Sequence, residues 1–191
     1  MQFISFRRLV ISLLIASTLI ITTGQASAEE AGKQQFTDKE VKEFAQDQFA
    51  AMYKKAMENA KTRLEAGEPV KAFAVVADRK SNYRTIRIDE IEKMPPNVAV
   101  EVMRRSLRVL VEKGSIGATC LVYVAENPKK EAEAKYVLVA EMEHIFGPTL
   151  AQLTPYAIES GHAEFGKPLV VESKPTIFNI KLKKKDEETA E

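Results

Sequence analysis

Residues 161–168, GHAEFGKP, hold two fragments with chemical meaning: His162-x-Glu164, and Gly161 followed by Gly166-Lys167. In a zinc deaminase, the histidine of His-x-Glu is one metal ligand, the glutamate moves the proton, and two downstream cysteines complete the site. No cysteine follows Glu164, and the single thiol, Cys120, lies upstream. Two of three ligands are therefore missing. A phosphate-binding loop needs Ser or Thr after its lysine, and a helix whose first amides face the phosphates. Here Pro168 takes the Ser/Thr position and the following LVVESKPTIFNIK is strand-like. Gly161–Lys167 is expected to be a loop between two strands.

The other histidine, His144, stands in VLVAEMEHIF, where Tyr136, Leu138, Ala140, Met142, His144 and Phe146 share a face by strand alternation. That face reads as core, so His144 is expected to be packed and hydrogen-bonded. Glu141 and Glu143 point the other way and are expected to face solvent. With His162 they form the one candidate metal site, provided the fold assembles them. Ser115, in Gly114-Ser115-Ile116-Gly117, lacks the spacing of a nucleophile elbow. Arg84 and Arg87 have opposite parity, which argues against an anion clamp, whereas Tyr83 and Arg87 share a face open to a partner. No catalytic residue and no cofactor is assigned.

The start of the chain is informative. Arg7-Arg8 precede the uncharged run Leu9–Thr23, and Ala26-Ser27-Ala28 gives a small-x-small site, the pattern of a secretory signal peptide cleaved after Ala28. The apolar run, roughly 15 residues, is short of the ~20 that span a bilayer, so no stable membrane anchor is expected after cleavage. A periplasmic or secreted protein follows. Removing residues 1–28 takes away two of 28 basic residues and none of 27 acidic ones, so the net charge moves from +1 to −1. Balanced charge gives no attraction to nucleic acid. One cysteine excludes an intrachain disulfide, so packing must supply the stability.

The organisation expected is a signal peptide over 1–28, a polar leader over 29–36, one domain over 37–181 and a charged flexible tail over 182–191. Thr37-Asp38-Lys39-Glu40 is a capping box. After it, Val41, Phe44, Ala45, Phe49, Met52, Tyr53, Ala56, Ala60 and Leu64 make an apolar stripe along a long helix ended by Gly67 and Pro69. VKAFAVVA and YRTIRID, joined by Asp78–Asn82, describe a hairpin. A second helix spans Val98–Lys113, with Val98, Val102, Met103, Leu107, Leu110 and Val111 inward and Arg104 and Arg108 outward. Strands are expected at Ile116–Ala125, Tyr136–Phe146, Thr149–Ser160 and Leu169–Lys181. Pro155 and Pro175 place the last two at an edge or a bulge. The order gives an α+β domain: two helices packed on one face of an antiparallel or mixed sheet of about six strands.

Asp78 closing an apolar strand, the helix AVEVMRRSLRVLVEKGSIGA, and the strands TCLVYVAEN and VAEMEHIFG resemble a loose group of uncharacterised small bacterial proteins over residues 70–180. The chain lacks the tryptophan that group carries in the middle strand. The resemblance implies one α+β domain and brings no activity. Two functions are compatible with these features. One is an exported, non-enzymatic binding or interaction module that meets a protein partner or a second copy through the hairpin or the Pro155 and Pro175 strands. The other is a small periplasmic enzyme or ligand or metal carrier with a site near Glu141, Glu143 and His162.

Overall fold

The computed structural model describes residues 37–179; the signal segment, the leader and the charged tail lie outside the described residues. Helix α1 (Asp38–Glu65) starts at the capping box: Glu40 N–H donates to Thr37 Oγ1 at 3.3 Å and Thr37 N–H donates to Glu40 Oε2 at 2.8 Å. It ends where Gly67, at φ 72°, lets Gly67 N–H reach Leu64 O and Glu68 N–H reach Arg63 O. These paired bonds satisfy carbonyls that the helix leaves open. Helix α2 (Pro96–Glu112) closes the same way: Gly114 N–H donates to Val111 O and Ser115 N–H to Leu110 O.

Between the helices lie β1 (Phe73–Ala77), β2 (Tyr83–Ile86) and a short 3₁₀ turn at Asp89–Lys93; after them come β3 (Ala118–Glu126), β4 (Tyr136–His144), β5 (Thr149–Glu159), β6 (His162–Phe165) and β7 (Leu169–Val171). The order across the sheet is β2-β1-β3-β4-β5-β6, with β7 also paired to β5, and every pairing is antiparallel. The α+β class stands. The helices, however, divide the sheet between them. Val75, Cys120 and Met142 are in register and pack under α1 with Met52 and Ala56. The alternate residues Ala74, Val76 and Leu121 pack under α2 with Met103 and Leu107. Two-sided burial is why all five residues of β1 are apolar and buried.

Several boundaries differ from expectation. Residues 162–165 form strand β6, because Ser160 and Gly161 both take positive φ and close a two-residue hairpin. The last expected strand shrinks to Leu169–Val171; Pro175 belongs to no strand, and the chain crosses towards α2, where Ile177 is fully buried. Strand β5 is interior, so Pro155 is on no edge. Its carbonyl accepts Gly166 N–H at 2.8 Å, and a strand residue's N–H and C=O point the same way. The amide that Pro155 lacks therefore faces the break between β6 and β7, and the proline costs the ladder nothing. On α2 the buried face is Ala99, Val100, Met103, Leu107 and Val111, with Val98 exposed, a rotation from the face expected. Among the described residues, no helix is long and apolar enough to cross a membrane.

Candidate functional site

Strand β4 directs Leu138, Ala140 and Met142 into the core under α1, and His144 continues that face at the strand's end. The ring is 2% exposed, so both nitrogens need partners. Nδ1 accepts the Phe146 N–H at 3.1 Å. A backbone amide can only donate, so the proton sits on Nε2, which donates to Gln48 Oε1 at 3.2 Å. The other end of that amide, Gln48 Nε2, donates to Ser81 Oγ at 2.8 Å. Phe44, Phe49 and Phe146 surround the imidazole with ring centroids 5.8, 6.3 and 4.9 Å away. Burial lowers the pKa of His144, which favours the neutral ring. With both nitrogens engaged, His144 works as a pin joining α1, the β1–β2 turn and the β4–β5 turn.

Above this pin the surface is apolar. Phe44 is 44% exposed, Ile145 40% and Phe146 58%, three large side chains from two elements at one end of the sheet. They line an open cavity of about 300 Å³ together with Asp78 and Arg79 of the β1–β2 turn. A shallower depression of about 670 Å³ shares Phe146 and continues past Val41 and Leu150. The turn is tied together by its own hydrogen bonds. Asp78 Oδ1 accepts the amides of Lys80 (2.7 Å) and Asn82 (2.9 Å), and Oδ2 accepts Asn82 Nδ2 (2.9 Å). The Asn82 side chain, then the Asn82 amide, holds the Asp78 carboxyl below the usual range. Ser81 takes φ 61°, rare for a residue with a side chain, and its hydroxyl receives Gln48.

Glu141, Glu143 and His162 are not brought together. Glu141 accepts Arg104 Nη2 at 2.8 Å on both oxygens and the Tyr123 hydroxyl at 2.7 Å, under α2. Burial, then the bond to Glu141, pushes the Tyr123 hydroxyl up. Glu143, read as solvent-facing, is 1% exposed. Its carboxylate accepts the amides of Thr176, Ile177 and Phe178 and the Thr176 hydroxyl, between 2.7 and 2.9 Å, and so ties down the segment after β7. That segment and α2 supply the partners that an isolated strand could not reveal. His162 stands apart at the start of β6, exposed, 3.6 Å from Glu65 of α1. Among the described residues no three His, Cys, Asp or Glu side chains are placed to hold a metal ion. Arg104 and Arg108, expected to point outward, turn inward: Arg108 Nε donates to Thr176 O at 2.8 Å.

Gln48, Ser81 and Arg79 were not singled out from the sequence, and Phe146, expected on the core face of its strand, lies past the end of β4 and is exposed. Gln48 left a trace: it stands three residues after Ala45 and four before Met52, a polar side chain on the apolar stripe of α1. The chain matches no family model, no curated protein and no solved structure.

Proposed function

We propose that this protein is an exported, non-enzymatic binding module that engages its partner through the end of the sheet formed by the β1–β2 turn, Phe44, Ile145 and Phe146. The export half rests on the basic, apolar and small-x-small succession over residues 1–28. The binding half rests on one observation: three large apolar side chains stay exposed beside a cavity, on a scaffold fixed beneath them by the His144–Gln48–Ser81 chain. Contiguous exposed apolar surface on an otherwise charged protein marks an interaction site. The carboxylates and histidine of the alternative carrier site are committed to separate partners, which removes its support.

Native mass spectrometry of the protein recovered from the periplasm, before and after denaturation, tests both halves. The expected species begins at Glu29 and carries additional mass, as a ligand, a second protein or a second copy, that denaturation removes. The double variant Phe44→Ser/Phe146→Ser should lose that mass while keeping its fold, since both rings are substantially exposed. A chain retained from Met1 in the membrane fraction overturns export. A bare monomer, unchanged by the double substitution, overturns binding at this surface.

A further inference from the structure

Among the described residues β2 is the last strand on its side of the sheet, and its outer edge has no strand beside it. The direction of its backbone groups follows from the turn. Asp78 N–H donates to Asn82 O at 3.1 Å, so these two residues form a bonded pair, and by alternation Val76–Arg84 and Ala74–Ile86 are bonded pairs too. Tyr83 and Thr85, in the pairs between, turn their N–H and C=O groups away from β1. Two contacts agree with this direction: Gly117 N–H donates to Ala77 O at 2.8 Å on the β3 side, and the Lys55 ammonium donates to Tyr83 O at 3.2 Å on the open side. A lysine of α1 thus stands in for a missing strand at one acceptor. The two faces of β2 differ. Tyr83, Thr85 and Arg87 lie on the α1 side, where Arg87 sits over the Phe73 ring, whereas Ile86 and Ile88 pack half-buried on the α2 cluster. Lys55, Arg79, Lys80, Arg84 and Arg87 form no ion pair among the described residues. Three acids, Asp47 beside Tyr83, Asp78 in the turn and Asp89 after the strand, leave the surroundings of this edge positive.

We propose that the outer edge of β2 takes up an extended segment of a partner protein as one more strand, and that this segment alternates acidic and apolar residues. An open edge supplies main-chain hydrogen bonds to an extended chain of any sequence, and the side chains on its two faces then select among partners. Here Thr85 offers both of its groups and Tyr83 its N–H. Acidic side chains of the incoming strand meet Lys55 and Arg87 on the α1 side, and apolar ones meet Ile86 and Ile88 on the α2 side. A second copy is the poorer occupant, because joining two β2 edges brings two sets of unpaired arginines to one seam, and like charges across an interface repel. This surface runs along the strand, and the inference does not depend on the apolar end of the sheet proposed above.

Fluorescence anisotropy of the exported, processed chain with labelled synthetic hexapeptides, one alternating glutamate and valine and one alternating lysine and valine, tests the charge half. At low ionic strength the glutamate peptide should bind saturably and the lysine peptide about ten-fold or more weaker, since several exposed pairings change sign together. Arg87→Glu should weaken the glutamate peptide several-fold and strengthen the lysine one. Thr85→Pro tests the backbone half: it removes an N–H that points away from β1, which an edge strand tolerates, and should abolish binding. Thermal melting checks that both variants fold. Should Thr85→Pro fail to fold, amide hydrogen exchange at Thr85 in the unsubstituted protein reads the same bond, and the glutamate peptide should slow it about ten-fold or more at saturation. Absence of glutamate-peptide binding, equal binding of the two peptides, or binding that leaves Thr85 exchange unchanged overturns the proposal. So does a dimer of the free chain that Thr85→Pro dissociates, because a second copy then holds the edge.

Discussion

His144 and Cys120 show how burial converts reactive residue types into structural ones. Cys120 is fully buried on β3 beside Met142 and Val75, and burial pushes its thiol up to about 12. Thiolate is the reactive form, so a thiol reagent should not label Cys120 at pH 8 in the folded protein and should label it quantitatively in denaturant. Native-state labelling at the denatured rate would show that β3 opens. His144 gives a pH dependence whose sign is fixed. Its folded pKa is lowered by burial from an ordinary value of 6.5, so below that value the unfolded chain takes up protons more readily than the folded one. The stabilisation is complete above 6.5 and is lost as pH falls from there through the folded pKa. Urea denaturation should show stability dropping between pH 7 and pH 5, with a smaller drop in His144→Gln; equal slopes in the two proteins would mean other groups dominate. His144 was legible as a core histidine from strand alternation alone. Its partner Gln48 was not, because nothing local says that a polar residue in a helical stripe meets one particular turn.

Among the elements, the helices were the most legible, since their start and stop chemistry is local: a capping box at Thr37 and glycines at 67 and 114. Replacing Thr37 by Ala should cost about 1 kcal/mol, read as a shift in the urea midpoint. The end of the chain was the least legible. A strand was expected over Leu169–Lys181, but only three residues pair, because Glu143 gathers three successive amides and pulls residues 176–178 off the sheet. A buried carboxylate that collects backbone amides leaves no periodicity to read. Glu143→Ala strands those amides in the core and should destabilise by about 3 kcal/mol. Glu143→Gln, which keeps one acceptor oxygen, should lose clearly less. Limited proteolysis should cut after β7 in the alanine variant first; equal resistance in wild type and alanine variant would show that Ile177 alone anchors the segment.

For the whole molecule, the sheet is a partition with a separate core on each side. Met52 and Leu107 are fully buried in different clusters and share no packed neighbour. Met52→Ala and Leu107→Ala should each cost about 2–5 kcal/mol, and the double variant close to their sum, since side chains without shared partners add. A large departure from additivity in denaturant titrations would mean that the two faces behave as one packing unit. The α+β class followed from the order of helical and strand-like segments, which left the sheet antiparallel or mixed; the pairings make it antiparallel throughout. The helices were expected on one face; the sign of their division over two was the unbroken apolar run of β1, where a one-sided sheet would alternate.

The strand order has a consequence for a chain made from its N-terminus. β4, β5 and β6 each pair with the strand just made, so that half of the sheet zips up as it emerges. β1 is different: after pairing with β2, its other edge waits for β3, which arrives only once the 3₁₀ turn and α2 have passed. During that interval five consecutive apolar residues have an uncovered face and an open edge. The stretch Phe73–Ala77 is therefore the natural handle for a folding helper, and the segment whose dilution with charge would relieve dependence on one.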